Sequence, residues 1–386
     1  MTLSDSPAMF NSSGRLAQRA LASPAELESS PSNVLDLSRS SMIGAAQEVL
    51  ELTKRALDAG ATHYTPAEGI PELRAAVAAD LGRNGIPVDE ASIGITNGAG
   101  EAMYLALQRL VHPGDRGLHM EPAESMVHRL LRYLGAAAIP VQANVQDRFI
   151  PEFRDSALDG VALLILSTPN VISGVEFPPA QLKQILDAAR ERGVTVILDR
   201  SLAIGALQRD VEQPDLAFAS HTVILGSFSG LYGLDGWRIG YYSAPAELTG
   251  PLSDLKTSMS ICTPAVSQWA ALAALETRDN WLPARLRACQ GRLEFVRRRC
   301  AEIGVNVVAP DAAPPLLVDV RTAGDDKALT ARLLTEYGVR VEAGSSVGSS
   351  TRGFLRLNLN IATSVLEEGL ERVTPVIERE IARHSA

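Results

Sequence analysis

Residues 222 to 242, TVILGSFSGLYGLDGWRIGYY, run from an apolar stretch into a turn of small residues bearing two hydroxyls, Ser227 and Ser229. They continue into Gly-x-Arg-x-Gly-Tyr around Arg238. A serine nucleophile needs a base within reach, but no histidine stands at hydrolase-like spacing and there is no G-x-S-x-G elbow, which disfavours a serine hydrolase. Two glycine-rich stretches, Gly98-Ala99-Gly100 and Gly344 to Gly348, invite a phosphate-loop reading, yet neither fits G-x-x-x-x-G-K-[ST]. No cluster of His, Cys and Asp has the spacing of a metal site, so none is expected. Among 36 Lys and Arg residues only four are lysines: Lys54, Lys183, Lys256 and Lys327. Lys183 and Lys327 lie in polar, amphipathic surroundings that read as surface. Lys256 comes closest to the Arg238 turn in sequence, but its helix would have to turn inward to bring the amine to a site.

Ser227-Phe228-Ser229-Gly230 followed by Gly236-Trp237-Arg238-Ile239-Gly240-Tyr241 resembles the Ser-x-Ser-Lys...Gly-x-Arg-x-Gly-Tyr signature of the fold-type I, aminotransferase class I/II family of pyridoxal phosphate (PLP) enzymes. In that family the lysine amine forms a Schiff base with the cofactor and later carries the proton at the substrate α-carbon; glycine can do neither. The spacing from Gly230 to Arg238 matches the family's lysine-to-arginine spacing, so the chain reads as a divergent member with Gly230 in the lysine's place. The resemblance covers nearly everything after residue 35. Within it, Tyr64 to Arg74, YTPAEGIPELR, is similar to the segment whose tyrosine reaches a neighbouring subunit's cofactor phosphate. Asn97-Gly98-Ala99 resembles the turn at a helix start whose N–H groups hold that phosphate, a task suited to a helix N-terminus. With Ser227 and Arg238 it makes an intact anion cup. Asp199 matches the aspartate that pairs with the pyridine nitrogen, and Arg356 the arginine that grips the substrate carboxylate with two prongs.

The other half of the implied pocket departs from the pattern. Thr168-Pro169-Asn170-Val171-Ile172-Ser173-Gly174 places Val171 where the resemblance implies an asparagine facing the ring hydroxyl. Leu202 stands for a tyrosine that partners the same hydroxyl, and Glu124 for the aromatic residue that would stack on the ring. Unpaired buried charges are costly to keep, so persistence of the charged grips implies a cavity that still binds an anionic, carboxylate-bearing molecule. In the competing reading, Arg238, Asp199 and Arg356 satisfy one another or backbone groups as structural ion pairs. Glu124, near Val171 and Leu202, would be desolvated and its pKa raised, which suits a general acid or base; the plain alternative is a solvated loop glutamate. His128 would share a helix face with it if that segment is helical.

The expected function is therefore a lysine-free enzyme of specialised metabolism that binds an amino-acid-like carboxylate substrate. It would catalyse a PLP-independent acid–base condensation, a cyclisation of the Pictet-Spengler kind, or an isomerisation. Glu124 is the expected proton carrier, with Arg356, Tyr64, Val171, Leu202 and Asp199 around the substrate and Gly98, Ala99, Ser227 and Arg238 forming the anion cup. No cofactor is expected covalently, with non-covalent PLP left open. The alternatives are an enzyme that uses PLP or its aldimine non-covalently and a catalytically inactive ligand-binding pseudoenzyme; ordinary transamination ranks last.

Such a site needs elements to hold it. A chain of 386 residues with 46% hydrophobic content can bury a large core and, by size, hold about two domains. The short apolar runs from Val161, Val194 and Thr222 read as strands buried on both faces. Pro179 to Arg192 and Glu101 to Val111 carry helical spacing, which implies strand, helix, strand with parallel pairing. Arg285 to Ile303 reads as a long helix, and Leu316 to Val320 and Phe354 to Leu359 as alternating strands of a smaller unit. The expected class is α/β, an aminotransferase-like fold-type I architecture with a large domain built on a mostly parallel sheet and a smaller α+β domain. Residues 1–34 form an N-terminal arm, 35–60 and 281–386 the small domain, and 61–280 the large one. A net charge of -9 argues against nucleic acid or an anionic membrane as partner. Three cysteines without C-x-x-C spacing indicate neither a disulfide framework nor zinc. With no leader pattern and no apolar run of roughly 18 to 20 residues, a cytoplasmic protein is expected; its partners would be a small-molecule substrate and, by the resemblance, a second copy in a homodimer.

Overall fold

Continuous apolar runs leave no strand face for water, and the computed structural model buries them accordingly; it describes residues 34–38, 43–207 and 221–385. The expected N-terminal arm lies, but for residue 34, outside the described residues. In chain order the strands are β1 (Leu35–Asp36), β2 (Ile93–Thr96), β3 (Arg116–Glu121), β4 (Ala137–Gln142), β5 (Leu163–Ser167), β6 (Thr195–Asp199), β7 (Thr222–Ser227), β8 (Gly240–Ser243), β9 (Val307–Val308), β10 (Pro315–Asp319), β11 (Val339–Arg340), β12 (Glu342–Ala343) and β13 (Phe354–Asn358). The helices are α1 (Gln47–Asp58), α2 (Pro71–Arg83), α3 (Ala99–Leu110), α4 (Ser125–Tyr133), α5 (Pro179–Glu191), α6 (Ala246–Ser260), α7 (Ala265–Glu276), α8 (Arg278–Glu302), α9 (Asp326–Tyr337) and α10 (Thr363–Ser385).

A seven-stranded sheet in the order β2-β8-β7-β6-β5-β3-β4 forms the centre. β4, β3, β5, β6 and β7 pair in parallel; β8 runs antiparallel to both β7 and β2. Successive side chains of these strands point to opposite faces. Leu163, Ile165, Ile197, Val223 and Leu225 pack with Ala102, Leu105 and Ala106 of α3 and Leu252 of α6. Leu164, Leu166, Val196, Leu198 and Ile224 join the larger core with Leu182 and Ile185 of α5. With helices on both faces the mostly parallel α/β class follows.

A second, antiparallel sheet has the order β12-β13-β10-β9, and β1 pairs in parallel with β11, joining the N-terminal segment to the C-terminal third. The long helix α8 starts at Arg278, earlier than the expected Arg285. Buried Trp281 and Leu282 extend it past Pro283, tertiary packing overriding the local cost of proline. Cys289 and Cys300 are buried on this helix, where desolvation pushes both thiols up, Cys300 to about 11, while Cys262 is half-buried; all three are free. Among the described residues, no helix is long and apolar enough to cross a membrane, and no His/Cys/Asp/Glu group could hold a metal ion.

Candidate active site

Parallel strands send their carboxyl ends in one direction, and ligands in such sheets settle beyond those ends. β6 ends there at Asp199 and β7 at Ser227, and both line a cleft of about 330 Å³. The N-terminus of α3 contributes Ala99, and the turn after β7 contributes Ser229, Gly230 and Arg238. Gly98, the cap of α3, has φ 82°, and a Cβ there would sit 2.5 Å from Arg238 Nη2, so only glycine lets the guanidinium lie against the turn. Arg238 Nη1 donates to the Asp235 carbonyl at 2.9 Å. The Ser227 and Ser229 hydroxyls are hydrogen-bonded to each other, and the Ser229 N–H donates to Ser227 Oγ at 3.1 Å. Gly230 is tied by its N–H to Asp235 Oδ1 (3.1 Å) and by its carbonyl to Asn360 Nδ2 (2.9 Å). Of the four residues expected to form the cup, Ala99, Ser227 and Arg238 thus line the cleft, and Gly98 lies against the Arg238 guanidinium.

Asp199 accepts the Ser201 N–H at 2.8 Å; desolvation pushes its carboxyl above the ordinary range, against hydrogen bonds from Ser201 and the charge of Arg200. Glu124, Val171, Leu202 and Arg356 line the same cleft. Glu124 stands at the residue before α4 without bonding the helix N–H groups, and its side chain is exposed along the cleft, yet the surrounding protein still desolvates its carboxyl. That desolvation, and then the nearby Asp199 charge, raise its carboxyl pKa against the pull of Arg356. Arg356 donates from Nη1 to Glu342 Oε2 (2.8 Å) and from Nη2 to the Val171 carbonyl (2.9 Å). Arg238, Asp199 and Arg356 do not pair with one another; Arg356 is held by the Glu342 carboxylate, which the competing reading did not name, and by the Val171 carbonyl, a backbone group of the kind it did.

Several expected residues sit elsewhere. Tyr64 is 83% exposed and does not line the cleft. His128 turns its ring edge to face to His119, 6.1 Å away, rather than toward Glu124's cleft. Lys256, whose helix would have had to turn inward to bring its amine to a site, is fully buried, with Nζ 3.2 Å from Glu101 Oε2. It still does not reach the cleft, because Glu101 points from the face of α3 opposite the lining residues Ala99 and Met103. Sequence reading missed Glu342 as well. Its signal was the antiparallel register that sets Glu342 opposite Arg356, a long-range pairing.

The residues present fit pyridoxal phosphate at two ends: the helix start, Ser227 and Arg238 suit its phosphate, and Asp199, with a carboxyl that a cation would draw into ionisation, suits its ring nitrogen. The described lining residues include no lysine, and Gly230 lines the cleft beside Ser229.

A profile of the family "Aminotransferase class I and II" matches residues 32–373. The aspartate/prephenate aminotransferase of Thermus thermophilus is 25% identical over 340 residues, which cover 86% of this chain and 88% of the relative. The arginine–pyruvate transaminase of Pseudomonas aeruginosa is 29% identical over 325 residues, covering 82% of each. Among solved structures, the aromatic aminotransferase from Pyrococcus horikoshii OT3 superposes with a TM-score of 0.83 at 26% identity, over 90% of this chain and 96% of that one. These findings correct two expectations. Relatives named for amino-group transfer overturn the PLP-independent condensation, cyclisation or isomerisation, and with it the preference for a cyclase over a transaminase. The expectation of no covalently held cofactor rested on the same inference from lost side chains and is overturned with it, since these relatives share the family whose signature is built around a lysine-bound cofactor. From β1 to α10, the chain belongs to the aminotransferase class I and II family.

Proposed function

We propose that the chain is an aminotransferase acting on an amino-acid-like substrate and its 2-oxo acid partner. The observation that carries this reading is the convergence of Ala99, Asp199, Ser227, Arg238, Glu124 and Arg356 on one cleft at the carboxyl ends of the parallel strands, in a chain of this family. Pyridoxal phosphate, when bound, supplies the electron sink that amino-group transfer needs. Ser227, Arg238 and the N–H groups at the start of α3 would hold its phosphate, and Asp199 its ring nitrogen. Gly230 takes the position that the family signature gives to lysine. Arg356 would bind the substrate carboxylate, exchanging its Glu342 partner for the ligand, and Glu124, with its raised pKa, would carry the proton at the substrate α-carbon. Val171 and Leu202 would add apolar surface to the cleft lining. Tyr64 belongs to a surface that a second copy covers in a homodimer. With the chain divided at residues 60 and 281, the cleft would lie between the two units, since Pro314, Pro315, Arg356 and Asn358 line it from one and the remaining residues from the other.

The test is direct. Purified protein supplied with pyridoxal phosphate, an L-amino acid panel and a 2-oxo acid acceptor is expected to release the corresponding 2-oxo acid. Glu124→Gln should lower the rate about 10²- to 10⁴-fold while leaving the cofactor's visible absorbance in place. Loaded protein that transfers no amino group from any member of the panel would remove the reading.

A further inference from the structure

Lys54, Lys183 and Lys327 are exposed, whereas Lys256 is enclosed beside α3. Its Nζ donates to Glu101 Oε2 (3.2 Å) and to Ser260 Oγ (3.1 Å), and Ser260 Oγ donates to Glu101 Oε1 (2.7 Å). The same carboxylate accepts the Asn97 backbone N–H at 2.6 Å and the Asn97 side-chain amide at 3.1 Å. Glu101 is the third residue of α3, so it reaches back over the residue that precedes the Gly98 cap, a capping arrangement that immobilises the turn. Burial opposes its ionisation, but the hydrogen bonds from Asn97 and Ser260 and the Lys256 charge outweigh it, and the carboxyl titrates below its ordinary range. A negative charge is thereby held within one helical turn of the N–H groups that face the cup, where a phosphate would meet repulsion.

We propose that Lys256 and Glu101 are positioning residues for the anion cup: the carboxylate fixes the Asn97–Gly98 turn, and the lysine cancels the charge that this carboxylate would otherwise set beside a bound phosphate. The proposal rests on the cup reading above, since neither residue lines the cleft. It separates phosphate-bearing ligands from their dephosphorylated forms, which a merely structural ion pair would not do.

The experiment is a set of spectroscopic binding titrations with pyridoxal phosphate and with pyridoxal. Lys256→Met is expected to raise the Kd for pyridoxal phosphate about tenfold and to leave that for pyridoxal within about twofold. The double variant Glu101→Gln/Lys256→Met, in which a glutamine oxygen still accepts the Asn97 N–H and no charge remains, should return to within about threefold of the native protein. If Lys256→Met does not fold, the double variant alone decides by the same threefold limit. Equal weakening of both ligands, or a double variant outside that limit, overturns the proposal. Native protein that fails to bind pyridoxal phosphate removes the functional reading and this inference together, whereas normal binding by folded Lys256→Met removes only the inference.

Discussion

Gly230 has φ 63°, and the nearest atoms to a Cβ built there are those of Pro314, 3.9 Å away. Space is thus open and the backbone alone is restrictive, so Gly230→Ala should cost about 1–2 kcal/mol, read from the urea midpoint. An unchanged midpoint would mean that the turn relaxes out of the left-handed region. Asp199 offers a second test at this scale. Its carboxyl pKa is raised in the folded protein, so the folded chain keeps a proton that the unfolded chain has already lost. Unfolding then releases a proton, and stability falls as pH rises from about 3.9 toward the folded value. Relative to Asp199→Asn, the native protein should lose melting temperature through that window, match the variant below it and hold a constant deficit above it. A difference with the opposite slope would contradict the assigned desolvation.

Strands and helices decide what these side chains can reach. β12 places Glu342 across from Arg356 on β13, and the two side chains are 32% and 20% exposed. Glu342→Gln leaves an oxygen to accept from the guanidinium but removes the competing charge, so the KM for a carboxylate substrate should fall by about fivefold, roughly 1 kcal/mol, with kcat little changed. A rise in KM would show that Glu342 orients Arg356 for the ligand rather than competing with it. Elements also set the limit of what the sequence disclosed. β5, β6 and β7 were legible because continuous apolar runs leave no polar face, and Asp199 and Ser227, at the ends of two of them, were picked out by the family resemblance. Lys256 was not, because its neighbours Ser253, Asp254 and Thr257 are polar and its partner Glu101 lies 155 residues away. Glu342 was hidden in the same way, by strand register. Gly230, Val171, Leu202 and Glu124 were read as a lost reaction, whereas the profile match over residues 32–373 weighs most of the chain and shows the aminotransferase class I and II family.

On the scale of the molecule, one rim gathers apolar groups that no described residue covers. Gln268 Nε2 donates to Thr65 Oγ1 (2.8 Å) and to the Thr263 carbonyl (2.7 Å), drawing Tyr64 and Ile261 into one neighbourhood with exposed Met259 close by in sequence. Ile261 also holds φ 60°, a conformation that costs a β-branched residue on the order of 1–3 kcal/mol and that persists where surroundings enforce it. Light scattering should therefore give the mass of two chains at micromolar concentration, and Tyr64→Asp/Ile261→Asp should shift it toward one. A native protein that scatters as a single chain would remove the homodimer.

Cys262 follows Ile261 on that rim, whereas Cys289 and Cys300 are shut inside α8 with unreactive thiols. A maleimide dye would consequently attach at a single position of the native polypeptide, with no engineered handle. Its emission would serve as a gauge of how the rim is covered on dilution.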